Sequence, residues 1–194
     1  MVIEMKKIAV LNGSIAAKSV NLTLLRALEK LANGRLQFDY VDIASLPHYD
    51  NDLWDNPPSA VTKLKHQIEA ADGVLIAVPE YNRSFPGVLK NALDWASRPY
   101  GQSSWADKPV ATVGATPGAT GTAAGQGHLR AILPVYGMVV MGQPEVYLNM
   151  KPGLIDENFE ITDETTQAFL GGFVDRFTRF VDLYGPAQTA VAAE

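Results

Sequence analysis

Two polar loops hold the side chains of this chain that could do chemistry. In the first, Asn12-Gly-Ser-Ile-Ala-Ala-Lys-Ser-Val-Asn21, the residues Ser14, Lys18, Ser19 and Asn21 offer hydroxyls, one ammonium and an amide at the start of a helix. Hydroxyl donors, a cation and the free N–H groups of a helix N-terminus together make a phosphate site. Ser19 is equally suited to capping that helix, and Asn21 to meeting solvent. In the second, Pro79-Glu-Tyr-Asn-Arg-Ser-Phe-Pro-Gly87, backbone donors, a flat aromatic and an amide suit a planar heterocycle whose edge alternates acceptors with donors. An ordinary strand-to-helix turn has the same composition. Arg83 in that loop is placed to meet a nucleotide phosphate or simply to be solvated.

Other chemistries lack their residues. The chain has no cysteine, hence no disulfide, thiolate nucleophile or thiolate metal site, and its three histidines are dispersed rather than at metal-ligand spacing. No G-x-x-x-x-G-K-[ST], no G-x-G-x-x-G after the first strand and no G-x-S-x-G occurs. The formal net charge of −5, from 16 basic and 21 acidic residues, argues against affinity gained by neutralising nucleic-acid phosphates. No segment reads as a secretion signal or a membrane span, so a cytoplasmic protein without membrane insertion is expected.

The elements that must position the two loops follow from apolar patterning. Lys7–Leu11, Leu36–Val41, Gly73–Val78 and Pro109–Val113 are short, nearly continuous apolar runs, as strands covered on both faces are. Met138–Met141 with Val146–Leu148 supplies a fifth. Between them, Leu22, Leu25, Leu28 and Leu31 form a helical stripe after the Ser19 cap, Ser59–Ala71 reads as a second helix, and Leu89, Leu93 and Ala96 place a third after Pro86-Gly87. A Gly-rich loop, Gly114–Gly121, leads to a fourth through Leu129, Ile132 and Leu133. Thr162 or Asp163 caps a last helix with Phe169, Phe173, Phe177 and Phe180 facing the core. The stretch 42–59, rich in Pro, Asp and Asn, has no period and is expected to be functional or to lie over a site.

Strands alternating with helices imply an α/β, three-layer doubly wound sandwich, flavodoxin-like, with a five-stranded parallel sheet in the order 2-1-3-4-5. A chain of 194 residues suits one such domain, 1–185, followed by a flexible Ala-rich tail at 186–194. In that architecture ligands sit beyond the carboxyl ends of the strands, at the switch point between strands 1 and 3. There the loops at 12–21, 79–87 and 114–121 converge.

These residues also carry a resemblance. Gly13-Ser14 with Ser19-x-Asn21, then Pro79-Glu-Tyr-Asn82 with Ser84-x-Pro86-Gly-x-Leu-Lys-Asn-Ala-Leu-Asp94-Trp95, resemble the NAD(P)H-dependent FMN reductases, a group that includes bacterial quinone, chromate and azo-dye reductases. The resemblance implies that Ser14, Ser19 and Asn21 hold the FMN phosphate, that Pro79, Glu80, Tyr81 and Asn82 line the isoalloxazine, and that Thr116 to Gly118 close its other side. Where that family usually places an arginine, two residues after the Gly-Ser pair, this chain has Ala16; Lys18 is then the substitute cation. Gln126 and His128-Leu-Arg130 also match the family's pattern. The activity implied is a ping-pong transfer from NAD(P)H to FMN and on to a quinone, similar acceptor or free flavin, with no catalytic side chain required. A flavodoxin-type electron carrier is the alternative. The resemblance further implies a homodimer or homotetramer, for which Tyr100, Trp105 and the helix at 87–97 are expected contact surface.

Overall fold

The computed structural model describes residues 5–186; all but the first residue of the expected tail lie outside the described residues. Strands β1 (Lys6–Asn12), β2 (Leu36–Val41), β3 (Gly73–Ala77), β4 (Pro109–Thr116), β5 (Val139–Val140) and β6 (Val146–Asn149) alternate with helices α1 (Val20–Ala32), α2 (Ser59–Glu69), α3 (Gly87–Ala96), α4 (Ala123–Ile132) and α5 (Glu164–Tyr184). All pairings are parallel, in the order β2-β1-β3-β4-β5, with β6 also paired to β4. This is the flavodoxin-like 2-1-3-4-5 order, with helices on both faces.

Strand alternation divides the apolar side chains between two cores. Ile8, Val10, Leu75 and Ala77 pack with α1 and α5, whereas Ala9, Leu11, Val74 and Ile76 pack with α2, α3 and Leu129 of α4. The last strand is broken: two β4 residues, 111 and 112, stand opposite five, 141–145, before pairing resumes at Val113 with Val146. Arg130 holds this bulge, donating to the carbonyls of Met141 and Gly142 at 2.9 and 3.0 Å. The buried amide of Gln126 ties the same region together, accepting from Thr112 Oγ1 and donating to Thr122 Oγ1 and Val146 O.

Four expectations are corrected. β4 runs on to Thr116 instead of ending at Val113, because Gly114 lets the strand pass beneath α4; a Cβ there would lie 1.9 Å from Thr122 Oγ1 and 2.7 Å from Val78 O. The buried face of α1 centres on Leu24, Leu25 and Leu28, with Leu22 and Leu31 at its margins, and in α5 Leu170 takes the buried place expected for the exposed Phe169. Trp105 is core, fully buried with its indole N–H donating to Leu93 O at 3.0 Å. The 42–58 stretch braces the outside of α3. Asn91 and Trp95 both donate to Pro47 O, Asn91 Oδ1 accepts from Tyr49 N–H at 2.7 Å, and the Tyr49 and Trp54 rings pack edge-on to Trp95.

Candidate ligand cleft at the strand ends

β1, β3 and β4 release their chains at one end of the sheet around a cleft of about 180 Å³. Ser14, Lys18, Ser19, Asn21, Pro79, Glu80, Tyr81 and Thr116 line it, joined by Val20, Ala115 and Pro117. Asn82 and Gly118 stand beyond its wall, on the loops that carry Tyr81 and Thr116.

The first loop is shaped by a residue that the sequence reading passed over. Asn12, the last residue of β1, donates from its amide to Ser14 O at 2.8 Å and accepts from Ser14 N–H at 3.2 Å. The Asn-x-Ser spacing that allows such a local turn was visible in the sequence. Gly13 is required for close approach: a Cβ would lie 2.6 to 2.8 Å from Leu89 Cδ1, Ala77 O and Pro79 Cδ. Ser19 caps α1 as expected, its Oγ accepting from Leu22 N–H at 3.1 Å while its own proton stays free to donate. The N–H groups of Lys18, Ser19, Val20 and Asn21 have no acceptor among the described residues, and Lys18, exposed, has no ion pair among them.

Two expected binding groups are largely spent on structure. Asn21 is buried and clasps the main chain of Ala115, donating to its carbonyl at 3.1 Å and accepting from its N–H at 2.9 Å. One amide hydrogen remains. The bond pins the end of β4 to the start of α1 and so fixes the spacing of two cleft walls. Glu80 acts likewise: its Oε2 accepts from Ala124 and Gly125 N–H at 3.0 and 3.1 Å, so it caps α4, whose own N-cap residue Thr122 makes no side-chain cap bond. A carboxylate at a helix N-terminus also meets the positive end of the helix dipole. Gly125 permits this docking, since a Cβ would lie 3.1 Å from Ser84 O.

The second loop closes as a two-residue hairpin. Tyr81 and Ser84 exchange both main-chain hydrogen bonds, at 2.8 and 3.0 Å, and the residues between them, Asn82 and Arg83, have φ of 51° and 66°. Positive φ at both central positions is the type I′ turn, whose favoured pair is Asn-Gly. Asn82 fits; Arg83 is held in a left-handed conformation that costs an ordinary L-residue about 1–2 kcal/mol. His128 of α4 reaches the hairpin base, Nδ1 lying 3.3 Å from Ser84 Oγ. Across the cleft, Thr116 Oγ1 accepts from Gly118 N–H at 3.3 Å and Asn149 donates to Gly118 O. The cleft thus joins a helix end with unpaired N–H groups to two loops rich in main-chain polar groups. Among the described residues there is no group of three or more carboxylate or imidazole side chains able to hold a metal, and no helix long and apolar enough to cross a membrane.

Known proteins are similar to this chain in sequence and in fold. The family model described as NADPH-dependent FMN reductase matches residues 6–153. The chain is 48% identical over 175 residues to a 2-hydroxy-1,4-benzoquinone reductase of Burkholderia, covering 90% of this chain and 96% of that one. It is 40% identical over 181 residues to a quinone reductase of Pseudomonas putida, covering 93% and 97%. Among solved structures, the flavoenzyme NAD(P)H:(acceptor) oxidoreductase FerB of Paracoccus denitrificans superposes with a TM-score of 0.92 at 46% identity, over 94% of this chain and 100% of that one.

Proposed function

Since this chain belongs to the NADPH-dependent FMN reductase family, we propose that the cleft at the ends of β1, β3 and β4 is where it holds FMN. The protein is an NAD(P)H-dependent flavin oxidoreductase of the quinone-reductase kind. The residues present fit the cofactor. The α1 N-terminus offers unpaired N–H groups, the Ser14 and Ser19 hydroxyls and the Lys18 ammonium to a phosphate. This donor set, opening onto the same cleft as residues 79–81 and 115–117, is the observation that carries the reading.

When bound, FMN supplies the chemistry, taking hydride from NAD(P)H and passing electrons to a quinone or similar acceptor in alternating half-reactions. The protein binds and orients. Ser14, Lys18 and Ser19 anchor the phosphate; Pro79, Glu80, Tyr81 and Asn82 form one wall for the ring and Thr116 to Gly118 the other. Asn21 and Glu80 work mainly through the walls they hold, Asn21 by its clasp on Ala115 and Glu80 by tying the hairpin to α4. The N–H of Asn82 would be the donor available to the electron-rich edge of the ring, whereas that of Gly118 is already given to Thr116 Oγ1. Titrating FMN into the cofactor-free protein tests the placement: Ser14→Ala and Ser19→Ala should weaken binding without abolishing the fold, and unchanged affinity in both would refute it.

The proposal includes a homodimer or a dimer of dimers in the cytoplasm, where NAD(P)H is supplied. Tyr100 and Val135, 92% and 83% exposed, border a hollow of about 410 Å³ between α3 and the turn after α4, also lined by Ile132 and Tyr136. Such aromatic and aliphatic exposure favours an interface core. Sedimentation showing only monomer at micromolar concentration would contradict it.

A further inference from the structure

We propose that Arg83 receives a phosphate group of the nicotinamide nucleotide and thereby sets how tightly NAD(P)H binds. The inference rests on the flavoenzyme reading above. Arg83 occupies the second central position of the hairpin turn, with φ at 66°, where glycine is the residue free of strain. A non-glycine outlier held in place is a pointer to function when its side chain has somewhere to act. Here the side chain is 75% exposed and lies 3.5 Å from Glu80, which lines the cleft.

Nothing in the fold uses that guanidinium fully. Its one ionic partner among the described residues is Glu80 Oε1, at 3.5 Å, and the other Glu80 oxygen is committed to the N–H groups of Ala124 and Gly125. Most of the five N–H donors of the guanidinium fork therefore remain free, in a geometry that matches phosphate oxygens. The tip is also rigid: the paired Tyr81 and Ser84 main chains, the Glu80 cap and the close approach of Gly125 fix the turn that bears it. Lys18, the cation that lines the cleft, stands two residues before α1, where the FMN phosphate is placed on the reading above. In a protein of net charge −5, a second polyanion needs its own local cation. NADH and NADPH share a diphosphate, and NADPH adds a phosphate on its ribose.

Arg83→Gly is the direct test, because it removes the guanidinium while installing the residue the turn prefers. The readouts are KM for NADPH and for NADH, Kd for FMN, and Tm. The expected result is a KM for NADPH raised at least tenfold, an FMN Kd within twofold of wild type, a Tm equal to or above wild type, and partial recovery of KM in Arg83→Lys. Lys63→Ala, an exposed cation on α2 away from the cleft, should leave both KM values unchanged. A parallel rise for NADH assigns the contact to the shared diphosphate; a rise for NADPH alone assigns it to the ribose phosphate. KM values for both nucleotides within twofold of wild type would overturn the proposal, as would a Tm below wild type, which would show that Arg83 is kept for the fold. A wild-type protein that takes up no FMN would instead overturn the reading beneath it, and this inference with it.

Discussion

Asn21 and Glu80 were legible in the sequence as residues of the site but not in what they do there. An amide or a carboxylate in a loop advertises hydrogen-bonding capacity, and only the fold decides where it is spent. Asn21 turns to Ala115, 94 positions away, and Glu80 to the start of α4, 44 positions away. Glu80→Ala should therefore act as the loss of a helix cap, costing about 1–2 kcal/mol in urea unfolding of the cofactor-free protein and also weakening FMN as the hairpin loosens. A variant with unchanged stability would show the cap to be idle. Ala16 tests the phosphate site from the opposite direction. The loop around it is exposed and Lys18 is a point charge, so Ala16→Arg should tighten FMN about tenfold, ~1.4 kcal/mol, through a charge-assisted fork on the phosphate. Weaker or unchanged binding would place the phosphate elsewhere.

At the scale of elements, those whose signals are local were read well. Ser19 caps α1, Asn33 and Gly34 end it in left-handed conformations, β2 has the expected bounds, and Asp163 caps α5. Features that depend on a neighbour were not. The extension of β4 through Gly114 is decided by what lies above it, and the sequence shows only a glycine. Phe169 fits the apolar period of α5 but is exposed, and Leu170 is buried instead. The Asp163 cap yields a pH prediction. Hydrogen bonds from Thr166 Oγ1 and N–H, at 2.6 and 2.8 Å, hold its carboxyl below the ordinary value of 3.8. A folded-state pKa that is depressed stabilises above the unfolded value and loses that contribution as pH falls through the folded one. Asp163→Ala should thus lower the urea midpoint at pH 7, and the gap to wild type should close as pH drops below 3.8. A gap that stays constant with pH would exclude the charged cap as its cause.

For the whole molecule, strand order and ligand position follow from one chain of cause. Buried apolar runs dictate a parallel sheet covered on both faces, its crossover helices fix the 2-1-3-4-5 order, and that order brings the polar loops after β1, β3 and β4 to one cleft. The sequence shows this because each step depends on composition and alternation. It does not show the burial of Trp105 or the bracing of α3 by residues 42–58, which depend on which aromatic finds which groove. The protein is an NAD(P)H oxidoreductase rather than a passive electron carrier. The direct measurement is the visible absorbance of the FMN-loaded protein under anaerobic conditions before and after NADPH or NADH alone. Rapid bleaching of the flavin band, restored by a quinone, is the predicted result; a flavin that stays oxidised with both nucleotides would contradict it.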